Sequence, residues 1–186
     1  MANIFTSSSS KLASLRMGWR WYGFVWTPAA IGVLVIVLES TATMSASNTG
    51  RWLRPVLEAI FGRLSGSTVE QVNHLIRKSG HFLGYGTLCM LFLRSWLYTL
   101  ARNLPDPGTS QSISFQFDRS WRLRAWVWAV LSTALVASAD EWHQTFLPSR
   151  TGQFSDVVLD TCGGILVSGL CLSIVLLIRR RSSLPF

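Results

Sequence analysis

Apolar residues run almost unbroken through four stretches of the chain, at about positions 21–43, 80–100, 121–142 and 156–178. Each is long enough to cross a bilayer as a helix, which takes about 20 mainly apolar residues. The first is uncharged over positions 21–38, and its Pro28 lies near the start, where a helix tolerates it. The second is broken only by Arg94, close enough to one end for its side chain to snorkel to the headgroups. The third opens with Arg122 and Arg124, and the fourth stops at Arg179, Arg180 and Arg181. Trp19, Trp21, Trp26, Trp96, Trp121, Trp126, Trp128 and Trp142 fall near the predicted ends, as aromatic residues do at membrane interfaces. The pattern predicts an all-α, four-helix transmembrane bundle.

Between the first two spans the pattern changes period. Trp52, Leu53, Val56, Leu57, Ile60, Phe61 and Leu64 recur at helical spacing with Arg51, Arg54, Glu58 and Arg63 between them, which reads as an extra amphipathic helix lying in the interface. Ser67 and Thr68 followed by Glu70 look like a second helix start, continuous with span two. Positions 103–118, with Pro105, Pro107 and Gly108 ahead of Ser and Gln, read as a polar turn region without chemistry. The chain thus divides into a polar tail at 1–20, a single membrane domain at 21–181 and a short tail at 182–186. The polar, Ser-rich start and the length of the first apolar run argue against a cleaved signal peptide.

Composition agrees. Hydrophobic residues make up 49 % of the 186 positions and charged ones 14 %, against a quarter in ordinary soluble domains. That excludes a disordered chain and leaves too small a polar fraction for a nucleic-acid-binding domain. Four buried core helices of a soluble protein would leave too little polar surface for water in a chain this short. Cys89, Cys162 and Cys171 fall inside spans two and four and are expected to pack as small apolar residues, without disulfides.

Orientation follows from Lys and Arg on the two sides. Lys11, Arg16, Arg20, Arg94, Arg102, Arg119, Arg122, Arg124 and Arg179 to Arg181 share one side, against Arg51, Arg54, Arg63, Arg77, Lys78 and Arg150 on the other. The richer side is expected to be cytoplasmic, with both termini inside.

The acidic residues are not scattered. Glu39, Asp140, Glu141, Asp156 and Asp160 all fall at the outer ends of spans, and Arg77, Lys78, His81, His143 and Arg150 lie beside them. Ionisable groups in a span are costly unless paired or wet, so they should face one another. Spacing permits this: Lys78, His81 and Tyr85 form one helical stripe, Asp140, His143 and Gln144 a second with Glu141 to one side, and Asp156 with Asp160 a third. Gly80 with Gly84, and Gly164 with Ser168, offer small residues for close helix approach.

Two blocks resemble the VanZ-like family of bacterial membrane proteins. Lys78-Ser79-Gly80-His81-Phe82 with Tyr85 is similar to that family's Lys-x-x-His-Phe-x-x-Tyr, and Asp140-Glu141-Trp142-His143-Gln144-Thr145-Phe146-Leu147-Pro148-Ser149-Arg150, then Asp156 and Gly164, to its Asp-Glu-x-x-Gln-x-Phe-x-Pro-x-Arg followed by an Asp and a Gly-rich helix. The resemblance covers about 26–178. Asp160 departs from it, standing where Asn is usual, and His143 is not a family feature. The resemblance implies a bundle in the bacterial cytoplasmic membrane. Its founding member is linked to low-level resistance to the glycopeptide teicoplanin, which targets lipid-linked cell-wall precursors, and no reaction is established for the family.

Three readings of the polar set remain open beside that of an ion-pair clamp. In the first, Lys78, His81, Tyr85, Asp140, Glu141, Gln144, Arg150 and Asp156 bind a cell-envelope lipid headgroup or lipid-linked glycan from an outward-facing site. Lys78 and Arg150, with Arg77, contact the anion, Asp156 partners Arg150, and Asp140 and Glu141 orient groups or move protons. In the second, Asp140, Glu141, His143 and His81 are the acid–base residues of an intramembrane enzyme acting on lipid-linked phosphate or sugar. In the third, His81, Asp140, Glu141 and His143 hold a divalent metal such as zinc or manganese, although their spacing matches no known signature. No other cofactor is expected.

Overall fold

The described residues of the computed structural model are 18–41, 46–102, 120–148, 150 and 152–182. The polar turn region expected at 103–118 and most of both tails lie outside them. Among the described residues there are five helices and no strand: α1 (Trp19–Glu39), α2 (Ala46–Phe61), α3 (Gly66–Ala101), α4 (Ser120–Gln144) and α5 (Phe154–Ser182).

The expected amphipathic helix is α2. It leaves Trp52 81 % exposed, along with Val56, Ile60 and Phe61, while Leu57 is buried. It stops at Gly62, whose φ of 78° is one that only glycine adopts without strain, and whose N–H caps the carbonyl of Glu58 at 3.0 Å. The chain turns at once into α3, whose N-cap is Ser65, accepting from the Thr68 N–H at 3.1 Å. This start lies two residues before the Ser67–Thr68 pair expected to begin it. The 36 residues of α3 give a rod about 54 Å long, against a hydrocarbon core of about 30 Å. Its first turns carry the polar residues Glu70, Asn73 and His74.

α3 is the central rod. It packs most extensively on α5 and α4, then on α1 and α2, whereas α1 meets α4 only lightly. Tyr85, Leu88, Cys89, Phe92 and Leu93 from α3 meet Ala29 and Ile36 of α1 and Ala125, Ala129 and Ala137 of α4 in one core. Outward faces stay apolar: Ile31, Leu34 and Leu38 on α1, Leu131 and Leu135 on α4, and Leu166, Leu170 and Ile174 on α5 are exposed.

Among the described residues two helices, Trp19–Glu39 and the Phe154–Val175 part of α5, are long and apolar enough to cross a membrane. The expectation of an all-α chain is met, while α3 and α4 fall short of the apolarity expected of two further spans. Their polar residues account for this. Tyr85 and Ser95 of α3, and Thr133, Asp140, Glu141 and Gln144 of α4, are buried against other helices.

Three other expectations are corrected. Pro28 sits in the middle of α1 rather than near its start. Proline removes the donor for the Phe24 carbonyl one turn back, and the next carbonyl along, that of Val25, accepts from Ser95 Oγ at 2.9 Å and Arg94 Nη1 at 3.0 Å, both of α3. Arg94 is thus a tie between helices, with Phe24 and Tyr98 rings 5.4 and 5.0 Å from its guanidinium, rather than a residue reaching only for headgroups. The tryptophans at that end also pack on one another, Trp96 stacking on Trp128 at 5.5 Å and meeting Trp26 edge-on at 5.1 Å.

Close helix approach is made by other glycines than Gly80, which faces open space. A Cβ on Gly163 of α5 would collide with the Phe82 carbonyl of α3, and one on Gly86 would lie 2.7 Å from Val167 Cγ2. Gly163→Ala should therefore cost about 1–3 kcal/mol by forcing two backbones apart. Gly169→Ala, with nothing within 4 Å, should be neutral or slightly stabilising. Thermal unfolding of the two variants in the same detergent checks this, and equal melting temperatures would refute the α3–α5 contact.

Candidate functional site

The end of α1, the start of α3, the end of α4 and the start of α5 meet at one end of the bundle, and there the polar residues gather. Helix periodicity decides which of them turn inward. At about 100° per residue, Gln144 and Glu141 lie about 40° and 100° round α4 from Asp140, on one side. Asp140, Glu141 and Gln144 are buried. His143 lies about 60° the other way and is exposed, outside the cluster. Its place in the expected acid–base and metal sets is corrected on that ground.

Three arrangements result. The first is a hydrogen-bonded junction centred on Asp140. Its Oδ1 accepts from Ser40 Oγ of the turn ending α1, and its Oδ2 accepts from Tyr85 OH of α3 and Gln144 Nε2 of α4, both at 3.0 Å. Gln144 Nε2 also reaches Ser40 Oγ at 3.4 Å. Tyr85 is 1 % exposed, so its hydroxyl depends on this acceptor. Asp140 therefore joins three helices through neutral donors.

The second lies beside it, toward α5. Asp160, fully buried at 0 % exposure, sets Oδ2 3.4 Å from His81 Nδ1. Glu141, 5 % exposed, accepts the Gln153 N–H on Oε2 at 2.8 Å. The remaining oxygens, Glu141 Oε1 and Asp160 Oδ1, are buried without a hydrogen-bond partner. One atom each from His81, Glu141 and Asp160 lies within 4.8 Å of the others. The expected metal set was His81, Asp140, Glu141 and His143; the structure brings together His81 and Glu141 with Asp160 instead, since Asp140 is engaged elsewhere and His143 faces out.

The third is a cavity of about 260 Å³ whose wall includes Glu70, Asn73, His74, Arg77, Lys78, His81, Gln144, Arg150, Gln153 and Asp156. Lys78 Nζ lies 3.5 Å from Asp156 Oδ1. The expected Asp156–Arg150 pairing is corrected: Arg150 Nη2 donates to the carbonyls of Glu39 at 2.8 Å and Thr41 at 3.4 Å, clasping the end of α1. Glu39 itself is exposed and contributes its backbone, not its carboxylate. Arg77 Nη1 is buried without a hydrogen-bond partner. Burial, and next the Arg150 charge, hold the Arg77 guanidinium below its ordinary pKa, with Asp156 acting the other way. Burial lowers Arg150 as well, opposed by the carboxylates of Asp140 and Glu141. Two half-buried like charges thus face one cavity, an arrangement that an anion would relieve.

Sequence reasoning did not place Ser40, Asp160 or the Glu70–Asn73–His74 turn in the site set. The last was accessible, since 81, 77/78, 74 and 70 continue the His81 stripe back along α3 at helical spacing.

A helical bundle with apolar outward faces and a cluster of carboxylate, imidazole and guanidinium groups gathered at one end has the make-up of a membrane protein built around a polar junction. The chain belongs to the VanZ/LLP1 family, whose model matches residues 21–178, nearly all of the five helices. No curated protein and no solved structure matches it.

The junction makes a quantitative prediction. Tyr85→Phe removes one donor and should cost about 1 kcal/mol, whereas Asp140→Ala strands three buried donors and should cost about 3 kcal/mol or more. Unfolding in detergent measures both, and an Asp140→Ala variant no less stable than Tyr85→Phe would contradict the assignment.

Proposed function

We propose that the chain spans the bacterial cytoplasmic membrane four times with both termini inside, and that its outward-facing cavity binds the phosphate-bearing headgroup of a cell-envelope lipid or lipid-linked cell-wall precursor. The observation that carries this reading is the pair of half-buried guanidiniums on the cavity wall, with Arg77 Nη1 sealed from water and lacking an acceptor. A guanidinium presents a planar fork of donors suited to phosphate oxygens. Size supports the same choice. A cavity of about 260 Å³ lies below the roughly 300–1,000 Å³ of pockets that enclose drug-sized ligands. It suits a headgroup whose chains remain in the bilayer, and not a whole glycopeptide, so any link to teicoplanin resistance runs through the lipid-linked target of the drug. The exposed Trp52, Val56, Ile60 and Phe61 of α2 lie in the outer interface and hold the cavity mouth at headgroup depth.

The intramembrane enzyme on lipid-linked phosphate or sugar uses the same cavity, since His81 stands both in its wall and beside Asp160. Phosphate or sugar release from such lipids by the purified protein distinguishes turnover from binding.

Arg77→Gln and Arg150→Gln should each weaken retention of a lipid phosphate headgroup at least about tenfold, as expected for loss of a charge-assisted hydrogen bond of about 1.5–3 kcal/mol. Titration of vesicles containing phosphatidic acid or undecaprenyl phosphate, against phosphatidylcholine vesicles, reads this, and undiminished binding by both variants would overturn the reading. Topology has its own measurement. With Cys89, Cys162 and Cys171 replaced by Ala, a cysteine at exposed Phe146 should react in intact cells with a membrane-impermeant maleimide. Labelling only after lysis would put the cavity on the cytoplasmic side.

A further inference from the structure

Beyond headgroup binding, and independently of it, the geometry points to a divalent-cation site formed by His81, Glu141 and Asp160, taking a first-row metal of the zinc or manganese type. The argument starts from the two carboxylates. Glu141 has one oxygen fixed by the Gln153 N–H at 2.8 Å and the other buried without a partner. Asp160 has one oxygen against His81 at 3.4 Å and the other likewise buried without a partner. Burying a carboxylate oxygen without a donor is costly, and here two such oxygens occur on neighbouring helices. Glu141 is oriented by the Gln153 N–H, as ligands held by an outer hydrogen bond are, while Asp160 already touches His81, a second member of the set.

The donor atoms lie within 4.8 Å of one another, so a modest closing of side chains brings all three to metal–ligand distance, about 2.0–2.2 Å for zinc. One imidazole with two carboxylates suits zinc and manganese better than magnesium, which prefers oxygen and retained water. Three protein ligands leave a coordination position open, and His81 also stands in the cavity wall, so the cavity supplies the entry path. Asp140 remains outside the set because its oxygens are taken by Ser40, Tyr85 and Gln144. The rival explanation is a proton held on Glu141 or Asp160.

The test uses the full-length protein in detergent, stripped with chelator and titrated calorimetrically with zinc, manganese and magnesium chlorides. About one equivalent of zinc or manganese should bind, with magnesium much weaker. Asp160→Asn and Glu141→Gln should each weaken binding at least about tenfold, and His143→Ala, on the exposed side of α4, should leave it unchanged. X-ray absorption of the zinc-loaded wild type needs no variant to fold and should show nitrogen and oxygen ligands with one imidazole. Absence of stoichiometric binding by the wild type overturns the site, as does sulfur ligation or equal affinity in both carboxylate variants. So does an infrared protonated-carboxyl band that persists in zinc-saturated protein and is lost in Asp160→Asn.

Discussion

Asp140 is the constraint on which the polar end of the bundle depends. An aspartate brought into a hydrophobic assembly must find donors, and this one finds them on three segments at once, at Ser40, Tyr85 and Gln144. Because those donors are neutral and themselves buried, none can leave without stranding itself. The junction fixes the rotation of α4 about its axis and the depth of α3 relative to α1. That rotation sends Glu141 toward α5 and His143 outward.

The carboxylates on this end consequently divide their work. Asp140 is fully engaged and holds helices together. Asp156 is a half-buried counter-ion, 3.5 Å from Lys78. Glu141 and Asp160 each keep a buried oxygen without a partner. An ion-pair clamp alone would match these acids with the nearby cations, yet Arg77 keeps a buried N–H unmatched. Bundle stability does not require unmatched groups of both signs at one end of the bundle, where each carries a burial cost. Strain of that kind collects at functional sites.

Much of this end was legible in the residues, because ionisable groups in apolar runs have few places to go. The Lys78–His81–Tyr85 stripe and the Asp140–Glu141–Gln144 face both follow from helical spacing with burial as the rule. What was not legible depended on neighbouring helices. Ser40 is a single hydroxyl at the end of an apolar run, indistinguishable from an ordinary helix terminus until Asp140 is seen opposite it. His143 and Gln144 are equally acceptable companions of Asp140 by spacing; only the burial of Glu141 on the same side excludes the first. Asp160 shares a stripe with Asp156, but whether it sits in a wet boundary or a dry interior depends on how closely α5 approaches α3. Gly163 sets that approach through backbone contact with Phe82.

The apolarity of individual helices misleads for a related reason. A span judged alone must look apolar all round, whereas a central one can hold polar residues wherever a neighbour supplies partners. α3 does this along its length: Ser95 bonds to α1, Tyr85 to α4, and His81 faces α5. Its first turns continue the same stripe back to His74 and Glu70, which line the cavity beside Arg77. One rod thus carries both the buried Tyr85 of the junction and the exposed His74 and Glu70 of the cavity wall, because each position answers to whichever helix lies beside it.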